Sequence, residues 1–308
     1  MLNNALTVAG QVFTLFIIMA LGFVCAKTKI VRDHAIRDLT NLVLYCVTPA
    51  AILQAFTSEE CTPEKTKNLL WVLLFSIAIH AILILLAKLC IHNKPDTVNK
   101  VLRYAVIFSN CGYMAFPLQK AILGDIGVFY GSMYVAVFNI LAWSYGVVMC
   151  SGDKKFLSPR KIFLNPTVIS VILSVILYFS GLKLPTVISS AVTHIGNLNT
   201  PLPMLIVGYR LYSAGIVKSF TDKRIYLPVA LRLIVSPAIM IGIMVLCGVK
   251  GAPLIACTVA ASSSVAAYNT MFADKFGLDS EVSVKTVTVS TLLTIFTMPL
   301  FVALAQVI

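Results

Sequence analysis

Apolar residues in this chain come in long unbroken runs, and the polar stretches between them are short. Ten runs stand out, at 5–26, 41–57, 68–91, 101–123, 126–150, 164–180, 188–214, 225–249, 253–273 and 282–307. A bilayer core about 30 Å thick takes roughly 20 residues of helix. Inside hydrocarbon every backbone N–H and C=O must be satisfied within the protein, so each run predicts an α-helix. None shows the alternation of an outer-membrane barrel strand. The predicted fold class is an all-α membrane protein with ten transmembrane helices. The first run starts at Ala5 with no basic segment and no small-residue cleavage site, which predicts a retained helix and not a signal peptide. The longest loop, 151–163, separates a first five-helix unit at 1–150 from a second at 164–308.

Composition agrees with that pattern and narrows it. Of 308 residues 59% are hydrophobic and 12% charged, against about 25% charged in ordinary soluble domains. So much apolar surface excludes disorder in water, and one soluble core of this size could not hide it. The net charge of +12, from 24 basic against 12 acidic residues, would suggest nucleic acid in a soluble protein. Here the basic residues sort by loop: 18 fall on one side of the predicted spans, 5 on the other, and Arg232 lies within the eighth run. Basic loops stay cytoplasmic. The expected arrangement is a multi-pass protein of the plasma or inner membrane, with both termini outside and the 151–163 loop inside. The charge is then topology, and lipid is the expected partner with no nucleic acid. No nucleotide-binding Gly-rich loop or soluble domain is visible, which argues against an ATP-driven pump or a fused enzyme.

Five helices per half is an odd number, so the second half inserts upside down, as in the inverted repeats of secondary transporters. Thr48-Pro49 in the second run matches Thr200-Pro201 in the seventh, 152 residues on, and Ser109-Asn110 in the fourth matches Ser263-Ser264 in the ninth, 154 residues on. Discontinuous helices at corresponding positions are the best sequence pointer to a transport site. The fourth run holds Ser109-Asn110-Cys111-Gly112-Tyr113 and then Pro117, residues that disfavour a regular helix. The ninth holds Ser262-Ser263-Ser264-Val265-Ala266-Ala267-Tyr268. If both break and cross, two helix N-termini face one cavity and attract an anion without a fixed positive side chain. Asn110 adds an amide donor and acceptor, and Tyr113 and Tyr268 would flank an apolar moiety. Ser109, Pro117, Pro49 and Pro201 are the expected crossover or hinge positions. The alternative is that Gly, Ala and Ser merely let helices pack closely.

All twelve carboxylates lie in loops or at run ends. A midplane carboxylate is the usual proton or cation coupler; its absence from the runs favours an anionic or neutral substrate, though backbone carbonyls at a broken helix can bind Na⁺. Arg232 sits about 10 Å into its run, and snorkelling to the cytoplasmic surface is the expected geometry, with an anion or a helix C-terminus as the other candidates. His80 is mid-run, with a proton-relay role open beside a buried structural one. Asn139 is the one amide of its aromatic-rich run, either helix glue or a substrate contact. The eight cysteines show no C-x-x-C pair and read as small apolar packers, so no metal or cofactor is expected. No G-x-S-x-G elbow or paired Asp points to an enzyme.

The chain resembles the auxin efflux carrier family of membrane transporters, which includes plant PIN-formed auxin exporters and bacterial homologues described as malate or malonate permeases. The resemblance rests on Asn41-Leu-Val-Leu-Tyr-Cys-Val-Thr-Pro49, Asn110-Cys-Gly-Tyr-Met-Ala-Phe-Pro117-Leu, Asn165-Pro166-Thr167, Phe272-Ala-Asp-Lys-Phe-Gly277 and Ser290-Thr-Leu-Leu-Thr-Ile-Phe-Thr-Met-Pro299-Leu. It implies two inverted five-helix repeats like those of bile-acid symporters, with discontinuous crossover helices four and nine. Helices 1, 2, 6 and 7 would be a scaffold and the other six a transport domain, in a homodimer working by elevator-type alternating access. It further implies that Asn110 is the crossover asparagine, that Asn165 belongs to an Asn-Pro motif, that Asn139 holds a polar position of helix five, and that Val265 lies past the second crossover. Many members carry Pro where this chain has Ser264, and the plant pattern has Pro where this chain has Ser109. A transporter of small organic anions is thus expected, with a Na⁺- or H⁺-coupled symporter or a ligand-binding membrane sensor as alternatives.

Overall fold

The computed structural model describes the backbone of residues 2–308 and the side chains at 10, 13–213, 215, 216 and 218–308. Besides short helical turns such as Pro159–Phe163 and Ile216–Ser219, the helices are α1 Leu2–Lys27, α2 Asp33–Thr57, α3 Pro63–Cys90, α4 Asp96–Ile107, α5 at 111–123, α6 Asp125–Ser151, α7 Pro166–Ser180, α8 Thr186–Asn197, α9 Pro201–Ala214, α10 Lys223–Leu246, α11 Ala252–Ser262, α12 Tyr268–Phe276 and α13 Ser280–Val307. Among the described residues there is no β-strand, and α2, α3, α6, α10 and α13 are long and apolar enough to cross a membrane. α7 and α11 are apolar but shorter. The protein is an all-α membrane protein.

The run boundaries needed two kinds of correction. The second run begins at Asp33 and not at 41, because the polar turn Asp33-His34-Ala35-Ile36-Arg37-Asp38 is helical but buries only Ile36 on one face. The breaks expected in the runs 101–123 and 253–273 are present, at 108–110 and 263–267, while the run 188–214 is also two helices and not one, interrupted at 198–200. Pro201 opens α9, where its missing N–H costs nothing.

Pro49 and Pro117 do not break their helices. Each follows by two residues a widened, π-type turn, Val43–Val47 and Cys111–Ala115, and Pro237 follows Leu231–Val235 in the same way. A proline ring collides with the carbonyl four residues back, and widening that turn relieves the clash while the helix continues.

α6 lies at the centre: every residue from Gly127 to Asn139 is buried, against α3, α5, α7 and α11. Phe56 of α2, Phe129 of α6 and Tyr178 of α7 meet with ring centroids 4.6–6.0 Å apart. α1 and α9 are in closest contact, because Gly22 and Gly208 let backbones touch: a Cβ on Gly208 would lie 1.8 Å from the Met19 carbonyl oxygen, and one on Gly22 would lie 2.2 Å from that of Leu205. Outward faces remain apolar, as on α7 with Ile172, Leu173, Ile176 and Phe179, which suits contact with lipid. Outside the spans, Asp222 receives Arg224 through both carboxylate oxygens, at 2.9 and 2.6 Å, with Lys285 at 3.7 Å. The Arg224 side chain holds the Asp222 carboxyl down to about 2.

Candidate functional site

The interruptions after α4 and α11 meet. Phe108 takes an extended conformation as α4 ends, and Ser263 does the same as α11 ends. The two stretches run antiparallel, with Ser109 opposite Val265. The Asn110 N–H donates to the Ser264 carbonyl at 2.7 Å, and the Ala266 N–H donates to the Phe108 carbonyl at 3.0 Å. The Val265 N–H donates to the Ser290 hydroxyl of α13 at 3.1 Å. Two short extended segments thus satisfy each other's backbone inside a helical bundle, as buried irregular backbone must be. Small residues allow the approach: Ser109, Ser263, Ser264 and Val265 are all fully buried.

One side of this crossing collects helix C-termini. The Arg232 guanidinium donates to the carbonyls of Val106 and Ile107, each at 3.2 Å, and of Ala261 at 2.6 Å, and it also donates to the Ser236 hydroxyl. It is fully buried. The snorkelling expected of Arg232 is therefore wrong: the last turns of α4 and α11 leave unpaired carbonyls with partial negative charge, and the guanidinium fork takes them instead of water. Nearby, His80 Nδ1 lies 2.6 Å from the Ser76 carbonyl, and its ring packs on Tyr134 and Phe108.

The other side collects helix N-termini. Asn110 and Ala267 are the residues that precede α5 and α12, and among the described residues no side chain caps either start. Both residues border all three cavities around the crossing. The central one is about 30 Å³, room for one or two waters. It is lined by Ser109, Asn110, Gly112, Tyr113, Asn139 and Tyr268 among others, and includes no carboxylate. Thr48 of α2 and Thr167 of α7 complete it. The other two cavities measure about 400 and 210 Å³ and share Asn110, Val207, Arg210, Ala267 and Thr270. Two helix starts without a side-chain cap, an asparagine and a threonine on each neighbouring helix are groups that can take an anion.

Of the sequence-predicted residues, Ser109, Asn110, Gly112, Tyr113, Asn139 and Tyr268 are brought together at the central cavity. Cys111, Ser263, Ser264, Val265 and Asn165 are buried beside it but line none of the three cavities. The Ser263 hydroxyl donates back to the Val259 carbonyl at 3.0 Å, while that of Ser264 faces Met114. Asn165 is a helix cap: its Oδ1 accepts from the N–H groups of Thr167 and Val168, at 2.9 and 3.4 Å, and its Nδ2 donates to Asn139 Oδ1 at 3.2 Å. Asn139 also donates to the Val135 carbonyl, so it joins α6 to α7 as well as facing the cavity. The matched Thr-Pro sites meet too, through Thr48 Oγ1 donating to Asn199 Oδ1 at 3.1 Å. Sequence reasoning missed Arg37, Arg210, Thr48 and Thr167. The signal for Arg210 is its position inside the 188–214 run.

A family model described as membrane transport protein matches residues 7–302, a range that takes in both broken helices and everything between them. The chain is also similar to an uncharacterized transporter of Methanocaldococcus jannaschii, 23% identical over 256 residues that cover 78% of this chain and 80% of that one. The chain belongs to the membrane transport protein family, that of the auxin efflux carriers.

Proposed function

We propose that this membrane transporter is a secondary carrier of small organic anions, carboxylates in particular, which bind at the N-termini of α5 and α12 beside Asn110. The observation that carries the reading is that both helix starts border the central cavity and also the adjoining one of about 210 Å³, neither of which includes a carboxylate. Two aligned helix ends supply roughly half a positive charge each, enough to favour one carboxylate without a lysine or arginine in contact. In this reading the ten apolar runs form two inverted five-helix repeats, 1–150 and 164–308, with both termini outside a plasma or inner membrane. The scaffold consists of the first, second, sixth and seventh spans, the remaining six move as an elevator, and the protein works as a homodimer in lipid. The offsets of 152 and 154 residues between the matched motifs support the repeat, and the 18-to-5 distribution of basic residues supports the orientation.

The test is uptake of radiolabelled carboxylates into liposomes containing the purified protein, with and without Na⁺ or pH gradients. Saturable uptake that is lost in Asn110→Ala supports the proposal. Uptake that Asn110→Ala leaves unchanged refutes the site, and flux that rises without saturation refutes a carrier.

A further inference from the structure

The largest cavity around the crossing contains two arginines that the helix-end site does not use. The cavity of about 400 Å³ is bordered by Asn110, Tyr113 and Tyr268 and also by Arg37 and Arg210. Arg210 also borders the adjoining cavity of about 210 Å³, which reaches Asn110 and Ala267 from the α13 side. Both arginines are exposed, and among the described residues neither takes part in an ion pair. One carboxylate, Asp274, shares the wall, and it accepts from the Ser280 hydroxyl at 2.5 Å. Thr40 and Asn41 of α2 add neutral polar groups. The vestibule thus has a cationic excess, and it opens on the helix starts where no fixed charge stands. α2 supplies Arg37 and α9 supplies Arg210, while the helix starts belong to α5 and α12.

We propose that Arg210, with Arg37, forms an anion-capture subsite in this vestibule, separate from the helix-end site, where a small carboxylate docks before it passes to Asn110. The proposal rests on the anion-carrier reading above. A guanidinium offers a planar pair of donors that matches a carboxylate. In a narrow cavity with low-dielectric walls a cationic lining raises the local anion concentration and the rate of loading. Because the subsite is exposed, it holds the anion weakly and releases it inward, which is what loading requires.

The experiment uses the full-length protein in liposomes of neutral lipid, so that no anionic headgroup can supply the contact. Acetate, succinate and benzoate serve as probes. The first readout is modification of Arg210 by phenylglyoxal, followed by peptide mass spectrometry. Each effective probe slows the modification, and in Asn110→Ala the protection persists. The second is uptake: Arg210→Gln raises KM three- to tenfold with maximal rate within twofold, weakens the inhibition by added salt, and is partly rescued by Arg210→Lys. If none of the probes protects Arg210 in either protein, or if Arg210→Gln transports with unchanged KM, the capture subsite is refuted. Protection of Arg210 without any uptake by the wild type refutes the carrier reading and leaves the subsite standing. Uptake that depends on Asn110 but not on Arg210 does the reverse.

Discussion

Arg232→Met tests how the crossing is held. The substitution keeps the length of the side chain and removes every donor from the carbonyls of Val106 and Ile107, while Ala261 retains the Ser236 hydroxyl at 3.3 Å. A buried acceptor left without a partner costs about 1–3 kcal/mol, so two full losses and one partial one come to about 5 kcal/mol. Against this stands relief of the several kcal/mol that burying a guanidinium costs. The net loss is about 3 kcal/mol, and at about 2 °C per kcal/mol for a chain of this size the melting temperature falls by about 6 °C. A snorkelling arginine would cost no more than about 0.5 kcal/mol, or about 1 °C. The two geometries are therefore separable. Buried Cys111, Cys150 and Cys257 provide the signal: after the accessible thiols are blocked, a thiol-reactive dye reports unfolding in detergent. Arg232→Lys keeps the charge but not the planar fork, and its melting temperature falls between the other two. A melting temperature for Arg232→Met within about 1 °C of wild type would refute the assignment.

Three further outcomes follow from the structure. Gly208→Ala places a Cβ 1.8 Å from the Met19 carbonyl oxygen and forces α1 and α9 apart, at about 1–3 kcal/mol; Gly242→Ala, which meets nothing within 4 Å, leaves the melting temperature unchanged or raised, and equal melting of the two variants would contradict the close backbone contact. Asn165→Ala removes the cap of α7 for about 1 kcal/mol, and Asn165→Ser, which caps but does not reach Asn139, recovers most of the melting temperature; no difference between Ala and Ser would show that the cap is not what Asn165 contributes. The Asp222 carboxyl, held down to about 2 by Arg224, stabilises the fold above the ordinary carboxyl range near pH 4 and loses that contribution as pH falls toward 2. The melting temperature of Asp222→Asn accordingly lies below wild type at pH 7, and the gap narrows by pH 3; a gap independent of pH would rule out the Arg224 linkage.

The helices and both breaks of the crossing were legible in the sequence because they depend on local chemistry. Apolar runs must be helical in lipid, and Ser109-Asn110 and Ser263-Ser264 weaken a helix wherever they sit. What Arg232 touches was not legible. Its partners are backbone carbonyls 125, 126 and 29 residues away in the chain, and a carbonyl carries no sequence signature. The partners of Asn165 were legible only in part. Asn-Pro at the start of an apolar run is a helix-start pattern, but the bond to Asn139, 26 residues away, depends on packing. Ser263 and Val265 were read correctly as a break, but a residue that makes a crossing spends its polar groups on the crossing. The cavity lining comes from their neighbours Ala266, Ala267 and Tyr268, and from Thr48 and Thr167, whose proximity depends on how α2 and α7 pack on α6.

Arg232 also changes how the positive potential at the helix starts is to be understood. Two helices that end and two that begin at one crossing contribute about half a unit of negative charge at each end and half a unit of positive charge at each start. Within a few ångströms these would largely cancel, and an anion in the central cavity would gain little from them. Arg232 contacts the carbonyl ends of both α4 and α11 and the Ser236 hydroxyl, lines none of the three cavities, and its unit charge offsets both ends. What remains is about one positive unit at the two helix starts, whose preceding residues Asn110 and Ala267 border the cavity. On the proposed anion-carrier reading the buried arginine therefore supports a site that it does not touch, while Arg37 and Arg210 line the larger cavity.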